Sequence, residues 1–93
     1  HNASKFLKNE ELSRIDQSRK IYHLYLNWCA KEALYKICDK KMMSLKNNIS
    51  IESFVPEESG NMFGRVNYNE INERFTLNYF NIDNYSVVWC RSK

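Results

Sequence analysis

Glycine and proline are nearly missing from this chain: two glycines and one proline occur in 93 residues. All three, Pro56, Gly60 and Gly64, lie in the second half, where they punctuate an extended pattern. The first half carries no such breaks and is free to form helices. Cysteine is sparse and odd in number. Cys29, Cys38 and Cys90 form no CxxC or Cys/His pattern, which argues against a disulfide framework and a structural zinc site and makes a reducing cytoplasm the default expectation. No apolar run approaches the roughly 20 residues that cross a bilayer, so no membrane partner is expected. Repeats, low-complexity tracts and internal linkers are also absent.

A hydrophobic fraction of 43% with 14% aromatic residues suits a folded, soluble chain, and 93 residues at 11.2 kDa suit one domain over 1–93. The net charge of +3 is unevenly placed. Residues 1–46 carry ten basic against five acidic groups, and residues 47–93 carry four against six. A basic first half suits an anionic partner, be it phosphate, nucleic acid or an acidic protein. Three triplets, at Asn2, Asn48 and Asn84, fit the glycosylation sequon. With twelve asparagines in the chain, chance accounts for them.

Periodicity divides the chain in two. A short helix is expected from about Lys8 to Asp16, with Glu10 and Glu11 near its positive end. A longer one is expected from about Ser18 to Cys38, where Tyr22, Tyr25, Leu26, Cys29, Ala33 and Ile37 recur at three and four and define an apolar face. Beyond Asn48 the period drops towards two. Ile49 to Val55 and Met62 to Tyr68 read as a hairpin around Pro56-Glu-Glu-Ser-Gly60. Phe75 to Phe80 and Tyr85 to Cys90 read as two further strands joined at Asn81–Asn84. Helices followed by strands indicate an α+β fold, two N-terminal helices packed on a small antiparallel sheet of three to four strands.

The segment that carries chemistry is Trp28-Cys-Ala-Lys31-Glu32-Ala-Leu-Tyr-Lys36, inside the long helix. At 3.6 residues per turn Trp28, Glu32 and Lys36 form one stripe, and Lys31 lies beside Glu32 about 100° round the helix. A carboxylate flanked by two ammonium groups can hold a divalent cation while the lysines meet phosphate oxygens. The same residues also read as an ordinary i,i+4 helix pair and a core tryptophan.

Trp-x-x-Lys-Glu-Ala-x-x-x-Lys, with Phe6-Leu7-x-x-x-Glu11 before it and Ser44-Leu45 and Tyr85-Ser-Val-Val-Trp-Cys after it, resembles the second half of the 4'-phosphopantetheinyl transferases, in particular the surfactin-synthetase-activating type. The resemblance implies transfer of phosphopantetheine from coenzyme A to a serine of an acyl or peptidyl carrier protein, dependent on Mg²⁺ or on Mn²⁺ in its place. It implies that Glu32 is a metal ligand, that Lys31 and Lys36 contact the coenzyme A phosphates, and that Glu11 is the base that deprotonates the carrier serine, with Glu11 and Lys36 as catalytic residues. The family's Gly-x-Asp-x-Glu strand has no counterpart in these residues. On that resemblance the chain is a C-terminal half-enzyme that requires an upstream lobe of the same enzyme or self-association. The alternative from another class is a non-catalytic interaction module that binds acidic protein or nucleic acid through the basic half. An RNA-recognition strand signature is missing, which weighs against nucleic acid.

The other polar residues carry less. His23 has no partner motif and reads as a helix residue, Cys29 and Cys38 as small apolar residues, and Lys40-Lys41 as a solvated helix end.

Overall fold

The computed structural model describes residues 2–91. A short helix, α1 (Asn9–Leu12), precedes the long helix α2 (Lys20–Cys38), and four strands follow: β1 (Ile49–Ile51), β2 (Ser59–Tyr68), β3 (Ile71–Ile82) and β4 (Tyr85–Cys90). The strands form one antiparallel meander in the order β1-β2-β3-β4. This is the expected α+β layout with its upper strand count. The first helix is much shorter than Lys8–Asp16. After Leu12 the chain turns away, and Asp16 instead accepts from the Ser18 N–H at 3.0 Å, opening the 3-10 turn Gln17–Arg19 that leads into α2.

Local chemistry sets the remaining boundaries. Asp39 ends α2 in the left-handed region at φ 51°, where its N–H reaches Tyr35 O. Asn69 and Asp83 open the two tight strand connections at φ 53° and 55°, a conformation that Asn and Asp tolerate better than most residues. Both strands begin earlier than the apolar alternation suggests, β2 at Ser59, within the expected turn, and β3 at Ile71, because they pair continuously from Ser59–Phe80 to Tyr68–Ile71.

Helix α2 lies across the sheet and contacts β1, β2 and β4. Its core line is Leu26, Ala30 and Leu34, packed on Ile49, Ile51, Met62, Val66, Phe75, Leu77 and Tyr79. That line differs from the expected face. Tyr25 is exposed, and Tyr22, Ala33 and Ile37 only border the core. The N-terminal segment covers another side of α2 through a second cluster of Ala3, Leu7, Ile15 and Leu24. Between the two apolar clusters runs a line of buried polar residues, His23, Asn27 and Lys31. Helix and sheet approach closely at Gly64. A Cβ built there would fall 2.5 Å from Leu34 Cδ1.

Candidate functional site

Three of the four expected site residues, Lys31, Glu32 and Lys36, lie on α2, and the fold separates them. Trp28, Glu32 and Lys36 line a groove of about 450 Å³ between α2 and the edge strand β4, together with Cys29, Ala33 and Ser86–Val88. Lys36 is exposed, Glu32 half-buried, and Trp28 packs edge-on against Phe6 with ring centroids 5.4 Å apart. No ion pair within 4.0 Å ties Glu32 to Lys36 among the described residues, so both charged heads stay available to a ligand. Cys29 is in the groove, but burial pushes its thiol up, and the Glu32 charge adds to that. It is a wall of the groove and not an activated nucleophile.

Lys31 faces the other way, which corrects the expectation of a carboxylate flanked by two ammonium groups. Its side chain is 0% exposed and its ammonium has three hydrogens, all of them engaged. Nζ donates to Glu11 Oε1 at 2.9 Å, Leu45 O at 3.0 Å and Ile49 O at 2.6 Å. No hydrogen is left for a phosphate oxygen. Burial pulls this ammonium below its usual range, and the hydrogen bond and charge of Glu11 offset part of that pull.

Glu11 shares the enclosure, and its expected role as a base that reaches a carrier serine finds no support in the geometry. The residue is 3% exposed. Oε1 accepts from the Lys8 N–H at 2.9 Å as well as from Lys31, and Oε2 accepts from the Ile51 N–H at 2.9 Å. A carboxylate held by two backbone donors and an ammonium inside the fold does not meet an incoming hydroxyl.

His23, expected only as a helix residue without a partner motif, and Asn27, which the sequence does not single out, extend the buried polar line. His23 Nδ1 accepts from the Asp16 N–H at 3.0 Å, and burial lowers the pKa of the imidazole against a smaller opposing pull from Asp16. Asn27 Nδ2 donates to His23 O at 2.9 Å. The only signal for them is the four-residue spacing His23, Asn27, Lys31, which is also the signature of a solvated stripe.

A magnesium ion needs several converging oxygens. Among the described residues no group of three or more His, Cys, Asp or Glu could hold a metal, so the residues present do not make a complete site around Glu32. Nor is any helix among those residues long and apolar enough to cross a membrane.

The architecture and groove define an α+β domain with one carboxylate and one ammonium opening onto a shared groove. The family model of the 4'-phosphopantetheinyl transferase superfamily matches residues 2–90, nearly the whole chain, and the chain belongs to that superfamily. No curated protein and no solved structure matches it.

Proposed function

We propose that this chain takes part in moving 4'-phosphopantetheine from coenzyme A to a serine of an acyl or peptidyl carrier protein, with the α2–β4 groove as its working surface. The observation that supports this most is that Glu32 and Lys36 both open onto one groove in a chain whose superfamily handles that substrate. Lys36 is the phosphate contact, since an ammonium on a flexible stem suits a pyrophosphate as a point charge. Glu32 is one metal carboxylate, and the others come from outside residues 2–91, from an upstream lobe or a second copy. Glu11 and Lys31 stay out of contact with the substrate, so the serine proton goes to another acceptor.

In the transfer the serine oxygen forms a new P–O bond, the bridging P–O bond of the pyrophosphate breaks, and the nucleotide leaves with the negative charge. Lys36 lowers the cost of that charge and orients the phosphate. The test is calorimetry with coenzyme A and Mg²⁺ on the wild-type chain and on Lys36→Ala. Loss of this contact should weaken binding by roughly 1.5–3 kcal/mol, the scale of a charge-assisted hydrogen bond. Unchanged affinity would remove Lys36 from the site. With the missing carboxylates supplied, Glu32→Gln should abolish Mg²⁺-dependent transfer, followed as the mass gain of the carrier protein. Transfer at the wild-type rate would show that Glu32 holds no metal.

A further inference from the structure

The outer edge of β1 is closed by side chains instead of a strand. Asn48 O accepts from Asn67 N–H and Glu52 N–H donates to Phe63 O, so the even-numbered positions of this segment bond to β2. Backbone groups alternate in direction along a strand, and Ile49 and Ile51 therefore point theirs away from the sheet. Those are the groups taken by the ion pair: Ile49 O accepts from Lys31 at 2.6 Å, and Ile51 N–H donates to Glu11 at 2.9 Å. Lys31 and Glu11 meet at 2.9 Å with side chains 0% and 2% exposed. One buried charge comes from α2 and the other from α1, and together they occupy the place of the next strand.

We infer that Glu11 and Lys31 are positioning residues, a surrogate strand that fixes the roll of α2 against the β1 edge and thereby aims Glu32 and Lys36 into the groove at the β4 edge. The geometry of the helix makes the link. Once Lys31 is bonded to Ile49 O and Leu45 O, Glu32 is set about 100° round the axis and Lys36 about 140°. A helix packed by Leu26, Ala30 and Leu34 alone could roll by a fraction of a turn and still bury its apolar line. Three hydrogen bonds from one ammonium leave no such freedom. The importance of the aim rests on the functional reading of the groove given above; the mechanical claim does not.

The test is amide exchange and heteronuclear NMR on the chain carrying Glu11→Gln, at a temperature where it is folded, against the wild-type chain. The amide of Gln can accept from Lys31 but cannot serve both backbone N–H groups as well. Protection of the Ile51 amide should fall by roughly tenfold or more, the scale of one hydrogen bond to a charged group. The signals of Glu32, Lys36 and Val88 should shift, while the Leu77 amide in the middle of the sheet keeps its protection. Lys31→Met, which removes the anchor altogether, should move the same groove signals further or fail to fold, and Glu11→Gln decides the matter in either event. Two results would overturn the inference: an unchanged Ile51 amide, or groove signals that stay in place while all amides lose protection alike, which is what a plain stabiliser would do. If the NMR changes appear but coenzyme A with Mg²⁺ does not bind even when the missing carboxylates are supplied, the functional reading fails and the positioning role stands.

Discussion

Lys31 and Lys36 are the same residue type on the same helix, five positions apart, and the fold uses them for opposite purposes. One is sealed at 0% exposure with every hydrogen donated to protein, while the other stands in solvent on the rim of a groove. Charge alone therefore says little about function. What separates the two is the surface each turns toward: Lys31 meets the β1 edge and Glu11 of the N-terminal segment, and Lys36 meets the groove beside β4. On the inward side a charge is kept because it completes hydrogen bonds that the backbone needs. On the outward side it is exposed and, among the described residues, has no ion-pair partner.

The comparison breaks most visibly under truncation. Lys31→Met should cost about 3–5 kcal/mol of folding stability, because it leaves the Glu11 carboxylate and two carbonyls buried with a partner lost, whereas Lys36→Ala should stay within about 0.5 kcal/mol. Urea denaturation measures both, and similar losses would erase the distinction. A smaller effect isolates the packing share of the inward side. Gly64→Ala places a methyl 2.5 Å from Leu34 Cδ1 and 3.0 Å from Ile51 Cδ1, so the helix must lift or the core must rearrange, at about 1–3 kcal/mol. A denaturation midpoint equal to that of the wild type would mean the helix has slack over β2.

His23 tests the polar line through pH. Its folded pKa lies below the ordinary 6.5, chiefly from burial, so the unfolded chain takes up the proton first. The sign follows: stability is full above about 6.5 and is lost as pH falls from there toward the folded pKa, with the bond from Asp16 N–H broken on protonation. Melting curves of wild type and His23→Gln should converge as the pH is lowered through that window. Parallel curves would place His23 outside the linkage. The smallest effect sharpens the point about burial. Arg74 and Glu52 form a two-pronged pair at 2.7 and 2.9 Å, yet their side chains are 48% and 45% exposed. Arg74→Ala should give no resolvable change in melting temperature, in contrast to the enclosed pair at Glu11.

The fold was largely legible in the sequence, and the division of labour within it was not. The switch in period at Asn48, the span of α2 and the limits of β4 follow from patterning, since Tyr85 to Cys90 is a run of strand formers closed by Asp83-Asn84. Patterning misplaced the inward face of α2 because three of its buried positions are His23, Asn27 and Lys31, and any hydrophobicity scale counts those as outside. The candidate site divides along the same line. Glu32 and Lys36 share a groove because a spacing of four puts them on one stripe. The burial of Glu11 and Lys31 depends on the β1 edge, which they meet across 40 and 18 residues of chain and which leaves no local trace. The Glu11 side chain also closes back on the Lys8 N–H, an arrangement that reads in sequence as an ordinary acid at a helix start.

The two borders of the sheet are finished unequally, and this bears on how the chain behaves at high concentration. The β1 border is filled by an ion pair, but β4 hydrogen-bonds to β3 on one side and, among the described residues, to no strand on the other. Its sequence, Tyr85-Ser-Val-Val-Trp-Cys90, contains no lysine, glutamate or proline to discourage a further strand, and Tyr85 and Trp89 are 73% and 42% exposed. Such a border is a template for growth, so the isolated chain should lose material to precipitation as it is concentrated. A single lysine at Val87, outside the core and midway along the strand, is the substitution that should raise its solubility limit without disturbing the other border.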